Sequence, residues 1–249
     1  MSRRAETAAQ ALVALRRAGT ADPLALAALG ELSEAEAYAV QAEVLRLSGD
    51  VVAGWKVAIG PRGLAVAAPL LATTLLQSGT QLRSPGDGAA KIETELAFRL
   101  GGDLPAREAP YTSAELGTAI AEIHAAFEVV IPRLGEPGVV PFNAFLADNL
   151  GNGRTVLGTA GAVLKGIVAS PQGVLRRDGT LVTSGRHPAG DPLAPLLAYA
   201  NAQRDALGGL RQGQIIITGS LTGALPALGP ARFEGVIEGM PTVVVEFVS

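Results

Sequence analysis

The segment Lys91-Ile-Glu-Thr-Glu-Leu-Ala-Phe-Arg-Leu100 sets two carboxylates two residues apart in a run that alternates like a strand. Ile92, Thr94, Leu96, Phe98 and Leu100 share one face. Glu93, Glu95, Ala97 and Arg99 share the other. Side chains at i and i+2 project in parallel, roughly 7 Å apart along the strand, so both acids can reach one hard cation. The competing reading is the solvated face of an antiparallel strand. A third acid, Glu128, lies in Ala125-Ala-Phe-Glu-Val-Val-Ile131, where both faces are apolar. An ionised carboxylate there is costly unless it is paired or bound to a metal. Three carboxylates on Mg²⁺ or Mn²⁺ is one solution, since oxygen ligands suit those ions. A buried Glu–Lys or Glu–Arg pair is the other. Lys56, in Val51-Val-Ala-Gly-Trp-Lys-Val-Ala-Ile-Gly60, is flanked on its own face by Gly54 and Ala58, which leave space that a ligand could fill. A snorkelling strand lysine is the plainer reading.

Composition narrows the chemistry around these residues. The 249-residue chain has no Cys and two His, His124 and His187. Disulfides, thiolate nucleophiles, Cys-ligated zinc and Fe–S clusters are excluded. So is a three-histidine metal site within one chain, while a Ser-His-Asp triad would need one of these two residues. Carboxylates, Lys and hydroxyls must carry the work. A net charge of −3 and 4% aromatic residues predict no nucleic-acid partner. Mean hydropathy is +0.32, but the longest apolar stretch, Leu64 to Leu76, is interrupted by Pro69, Thr73 and Thr74 and is too short to span a bilayer. The expectation is a cytoplasmic protein with no membrane association.

Elements that would position these groups follow from periodicity and punctuation. Residues 3 to 47 read as helical, with breaks at Gly19 and Gly30. Ser33 with Glu36 forms a capping box that starts a helix running to about Leu47. Beyond Val51, runs rich in Val, Ile, Leu and Thr predict strands at Val51–Ile59, Ile92–Leu100, Phe127–Ile131, Thr155–Gly158, Ala162–Ser170, Ile215–Thr218, Phe233–Ile237 and Thr242–Phe247. Helices are predicted over Ser113–Ala125, started near Ser113 with Glu115, and over Leu193–Leu207, stopped by Gly208-Gly209. A hairpin is predicted at Val174–Val182 around Asp178-Gly179. Asp148-Asn149 with Gly151-Asn-Gly153 reads as a turn. His187, in Gly185-Arg-His-Pro-Ala-Gly190, falls on a mobile loop, and His124 near a helix end. Ile215-Ile-Ile-Thr-Gly-Ser-Leu-Thr222 is a strand ending in a Gly-Ser turn whose N–H groups and hydroxyls could hold a carboxylate, or an ordinary turn. The order predicts an α+β fold, a helical segment over 1–50 followed by a β-rich domain over 51–249.

Taken in order, Gly54-Trp-Lys-Val-Ala-Ile-Gly60, Glu93-Thr-Glu-Leu-Ala-Phe98, Phe127-Glu-Val-Val130, Asp148-Asn149, Gly190-Asp-Pro-Leu193 and Gly213-Gln-Ile-Ile-Ile-Thr-Gly-Ser-Leu-Thr222 resemble the 2-keto-4-pentenoate hydratase / 2-oxo-acid decarboxylase branch of the fumarylacetoacetate hydrolase (FAH) superfamily. The resemblance implies a FAH-type mixed-sheet core, a β-sandwich roll, with a helical N-terminal segment. It implies that Glu93, Glu95 and Glu128 ligate Mg²⁺ or Mn²⁺, that Lys56 is catalytic beside a bound 2-oxo acid, and that Gly219, Ser220 and Thr222 bind substrate. It further implies a homo-oligomer. The expected activity is a metal-dependent hydro-lyase on 2-hydroxy-2,4-dienoate / 2-oxo-4-enoate acids of aromatic meta-cleavage catabolism, acting through a metal-chelated enolate. The hydratases carry an acid in a Pro-Asp-aromatic-Gly segment, where this chain has Pro69-Leu-Leu-Ala72. Leu70 resembles the decarboxylases instead. The alternatives are therefore a 4-oxalocrotonate-type decarboxylase, an acylpyruvate-type hydrolase dependent on His187, and a non-catalytic 2-oxo-acid binding protein.

Overall fold

Local signals build the N-terminal helices. In the computed structural model, which describes residues 2–84, 90–135, 138–162 and 171–249, α1 (Arg3–Ala18) ends at Gly19 with φ +66°. A short 3₁₀ turn ends at Gly30. Helix α2 (Glu34–Ser48) starts with the expected box, Ser33 accepting from the Glu36 N–H and Glu36 from the Ser33 N–H.

The strands follow as β1 (Val52–Ile59), β2 (Ala65–Leu71), β3 (Leu75–Gln77), β4 (Thr80–Arg83) and β5 (Lys91–Leu100). Then come α3 (Ser113–Ala119), β6 (Ile120–Val130), α4 (Phe142–Ala147), β7 (Asn152–Ala162), β8 (Gly173–Arg177), β9 (Thr180–Gly185) and α5 (Ala194–Ala200). The chain closes with β10 (Ile215–Ser220), β11 (Leu225–Pro226), β12 (Ala231–Ile237) and β13 (Val243–Val248). An eight-stranded sheet has the order β2-β1-β10-β5-β6-β7-β3, with β11 beside β5, and a five-stranded sheet the order β4-β13-β12-β8-β9. Both are mixed, with parallel pairs at β1/β10, β3/β7 and β4/β13.

One face of the large sheet packs on the small sheet and on α3 and α5. Trp55, Phe98, Phe127, Leu196, Tyr199, Phe233 and Val245 are buried in this core. The opposite face carries the odd-numbered side chains of β5. Its floor is Leu70, Ala97, Ala126, Leu157, Ile215 and Ile217. At the β2 edge this face is covered by α1, α2 and α4, with Leu12, Val40, Val66, Ala68 and Leu146 in one apolar cluster. The Gln41 side chain stitches the cover down by donating to the carbonyls of Ala67 and Leu146. The expected α+β, β-rich core with a helical N-terminal segment is thus the fold adopted. The hairpin forms too, with Asp178 and Gly179 both at positive φ. The strand expected at Ala162–Ser170 lies outside the described residues beyond its first position.

Three expectations are corrected. The helix expected over Ser113–Ala125 stops at Ala119, because the next eleven residues pair with the whole length of β5. β-branched Ile120 and Ile123 suit that strand, and Glu122 meets Arg99 across it at 2.6 Å. The helix does start at Ser113, with Thr112 as its cap and Glu115 completing the box. The helix expected over Leu193–Leu207 ends at Ala200. There Asn201 bonds the backbone of Tyr111, and Asp205 accepts from the N–H groups of Leu207 and Gly209, so side chains replace helical bonds. Finally, the space beside Gly54 is not open. A Cβ there would lie 1.8 Å from the carbonyl oxygen of Ile215 on the neighbouring parallel strand. Gly54→Ala is therefore expected to separate β1 from β10 and to abolish soluble folded protein, as circular dichroism and expression will show. A normally folded variant would refute this close approach.

Candidate metal and acid–base site

Register places the three acids. Glu93 on β5 stands directly opposite Glu128 on the antiparallel β6, and Glu95 lies two residues along the same face. One carboxylate oxygen from each lies within 4.8 Å of the others. Glu95 and Glu128 are fully buried, Glu93 partly. Like charges directly opposite repel, so this arrangement requires a compensating group.

Lys56 supplies part of it. From β1 its Nζ lies 2.8 Å from each oxygen of Glu128 and donates to the Leu150 carbonyl at 3.1 Å. Asn152 also donates to Glu128, at 2.9 Å. One ammonium against three carboxylates leaves two negative charges, the deficit that one divalent cation fills. Among the described residues, buried Glu95 Oε1 has no hydrogen-bond partner, while Oε2 accepts from the Gly219 N–H at 2.9 Å. A buried acceptor left bare beside two other carboxylates is what a hard oxygen-seeking cation would satisfy. The residues therefore fit Mg²⁺ or Mn²⁺.

Burial, and then Glu128, push the Glu93 carboxyl up to about 7, and burial with Glu128 and Glu93 holds Glu95 well above the carboxylate range. Burial acts to lower the Lys56 ammonium, but Glu128, Glu93 and Glu95 together outweigh it and raise it. Metal-free folded protein binds more protons than the unfolded chain between the ordinary carboxylate range and pH 7, so this contribution to stability falls as pH rises through that window. In EDTA the melting temperature should be higher near about pH 5.5 than near about pH 7.5, and saturating Mg²⁺ should remove the difference. A metal-free melting temperature that rises over this interval would contradict it.

The turn after α4 delivers the remaining groups. Asn149, Leu150 and Gly151 all have positive φ, between 50° and 72°, and this presents the Leu150 carbonyl to Lys56. Asp148, fully buried, anchors the turn by accepting from the Arg133 backbone N–H and guanidinium and from Arg16. Of the other expected substrate contacts, Gly219 is engaged with Glu95. Thr222 Oγ1 accepts from the Thr94 N–H at 3.0 Å, and Ser220 Oγ accepts from the Thr222 N–H at 3.2 Å. Ser220 pairs with Glu95 in register. His187 lies in the loop after β9, as expected, but its own side chain is buried there, 5% exposed, with both ring nitrogens within hydrogen-bond distance of backbone. His124 sits on β6, buried, against the Gly158 carbonyl and Glu122. Asn152 and the Leu150 carbonyl are site groups that sequence reading did not single out.

No family model matches the chain. Among known proteins, the 2-hydroxyhexa-2,4-dienoate hydratase of Comamonas testosteroni is 30% identical over 262 aligned positions, covering 97% of each chain. The chain belongs to the 2-keto-4-pentenoate hydratase / 2-oxo-acid decarboxylase branch of the FAH superfamily. The TodF product hydratase of Pseudomonas putida F1 is 32% identical over 160 residues, 63% of this chain, and the match spans only 59% of that relative's length. A family member of known structure, the 4-oxalocrotonate decarboxylase of Pseudomonas putida G7 complexed with magnesium and adipate, superposes with a TM-score of 0.87 at 20% identity over 100% of this chain and 99% of that one. That likeness establishes the FAH-type fold. Against the family's hydratase pattern, Leu70 is 1% exposed on the floor of the face that bears the acids, opposite Gly54.

Proposed function

We propose that this chain is a divalent-metal-dependent hydratase of 2-hydroxy-2,4-dienoate / 2-oxo-4-enoate acids, as in aromatic meta-cleavage catabolism. The observation that carries the reading is the convergence of Glu93, Glu95 and Glu128 on one point with Lys56 as the ammonium in contact. The near full-length match to a dienoate hydratase supports it. Glu93, Glu95 and Glu128 would hold Mg²⁺ or Mn²⁺, and the bound ion would supply a Lewis acid toward the 2-oxo acid head of the substrate.

The remaining work falls to the chain. Lys56 has three donors, with Glu128 and the Leu150 carbonyl taking two. The third is left for the substrate carboxylate or for delivering a proton. Held against Glu128 at 2.8 Å, Lys56 is placed to act first as a donor and acid rather than a base. The Ser220 hydroxyl is the expected contact for the far end of the substrate. Gly219 and Thr222 act through the turn they hold. We read residues 51–249 as the catalytic domain and 1–50 as its helical cover, and the protein as a cytoplasmic homo-oligomer with a small-molecule substrate and no nucleic-acid partner. No helix among the described residues is long and apolar enough to cross a membrane.

A second reading, decarboxylation of a 4-oxalocrotonate-type acid, is favoured by the buried Leu70. Incubating the Mg²⁺-loaded protein with a 2-hydroxy-2,4-dienoate and, separately, with 4-oxalocrotonate decides between them. Hydration of the first without CO₂ release from the second is expected. CO₂ release without hydration would replace the hydratase with the decarboxylase. An acylpyruvate hydrolase is disfavoured because its candidate base, His187, already meets backbone at both nitrogens.

A further inference from the structure

The peptide unit between Thr218 and Gly219 is held at both ends. Its carbonyl lies 3.1 Å from His187 Nε2, and its N–H donates to Glu95 Oε2 at 2.9 Å. The Ala189 N–H donates to His187 Nδ1 at 3.2 Å. Nδ1 is therefore the acceptor, so Nε2 carries the proton and donates to the carbonyl. The ring is a neutral, buried brace.

We propose that His187 is a positioning residue that aims the Glu95 carboxylate through the Thr218–Gly219 peptide. The inference rests on reading Glu95 as a cation ligand. A peptide is planar and rigid, so fixing the direction of its C=O fixes that of its N–H. The sheet does not do this here. Pairing of β10 with β5 is interrupted between Ile217 and Ser220, and Gly219 has φ +128°, a conformation that leaves the peptide outside the regular ladder. His187 takes the place of the ladder.

The packing is close enough to require glycines. A Cβ on Gly219 would lie 3.1 Å from His187 Nε2, and one on Gly185, two residues before the histidine, would lie 2.4 Å from the Leu221 carbonyl oxygen. The end of β9 thus presses onto the irregular end of β10 that carries Gly219. If the peptide flipped, a carbonyl oxygen would face Glu95 where an N–H now stands. With Oε2 held by that N–H, Oε1 is the atom left bare, beside Glu93 and Glu128.

The test is calorimetric titration of Mn²⁺ into the full chain as wild type, His187→Asn and His187→Gln, with thermal unfolding of each in EDTA. Asn keeps an acceptor for Ala189 but is too short for the Thr218 carbonyl, whereas the Gln amide reaches it. His187→Asn should bind Mn²⁺ about ten- to a hundredfold more weakly, the usual effect of losing a group that orients a metal ligand. His187→Gln should recover most of that affinity. Equal affinity in wild type and His187→Asn overturns the inference, as does a His187→Gln no better than Asn at the same unfolding temperature. Should His187→Asn not fold, a folded His187→Gln that has lost affinity overturns it. A wild-type chain that takes up no Mn²⁺ overturns the metal centre itself, a distinguishable result.

Discussion

Glu95→Gln will make the metal-free protein more stable while removing its affinity for divalent cations. The two effects have opposite signs for one physical reason. Glu95 is fully buried, one of its oxygens is bare, and the nearest charges on its own side are two further carboxylates. Without a cation its charge is a liability that burial and Glu128 penalise. The amide removes the charge and keeps an oxygen that can accept from the Gly219 N–H. With a cation the same charge is a ligand, and its loss should weaken Mn²⁺ binding by more than about 100-fold, beyond what losing a supporting group costs. The melting temperature in EDTA should rise by about 2–4 °C for each kcal/mol relieved. Were the acids a structural ion cluster, Glu95→Gln would instead lower the melting temperature and leave cation uptake unchanged. Calorimetry and thermal unfolding of one protein preparation separate the two accounts.

Lys56→Met gives the complementary result. Removing the ammonium leaves Glu128 buried among like charges, and breaking a buried pair costs about 3–5 kcal/mol. The metal-free variant should therefore unfold well below the wild type, and Mg²⁺ should restore much of the difference, because the ion then opposes all three charges. Cation affinity should be unchanged or higher, since Nζ no longer competes for Glu128, which it contacts at 2.8 Å. Turnover should nevertheless fall by about 100- to 10,000-fold, the range attached to a positioned proton donor. A variant that binds Mn²⁺ normally and hydrates the dienoate at the wild-type rate would confine Lys56 to charge compensation.

What the sequence disclosed depended on whether the deciding partner was near in the chain. Ser33 and Glu36 are three residues apart, so their reciprocal bonds could be read directly. The alternation of Lys91–Leu100 was equally local, and it assigned Glu93 and Glu95 to one face. The fold class followed from such segments. Distant partners were invisible. Within residues 120–125, β-branched Ile120 and Ile123 are only a weak local signal among Ala and Glu, and the pairing with β5 decides for the strand. The end of α5 is decided by Asn201 reaching Tyr111, ninety positions away. Gly54 looked like a gap because alternation describes one strand. The gap is filled by the backbone of Ile215, on a strand whose neighbourhood the sequence does not state.

The candidate site divides the same way. Its charged members stood out by type, a Glu amid apolar residues and a Lys between Gly and Ala. Its neutral members did not. Asn152 sits in an Asn-Gly pair that reads as a turn, and only the left-handed run Asn149–Gly151 aims it, with the Leu150 carbonyl, at Glu128 and Lys56. No side-chain pattern could reveal a contribution from a carbonyl. His187, next to Pro188 and between glycines, had the composition of the loop it occupies, but nothing in that composition showed that its ring packs on the end of β10.

The most direct measurement is an anomalous-scattering map from crystals of the wild-type protein soaked with Mn²⁺. The predicted result is one strong peak in contact with carboxylate oxygens of Glu93, Glu95 and Glu128, and its absence in Glu95→Gln crystals soaked in the same way. A map in which Mn²⁺ is found elsewhere, or in which those three carboxylates stay together with no ion between them, would contradict the account.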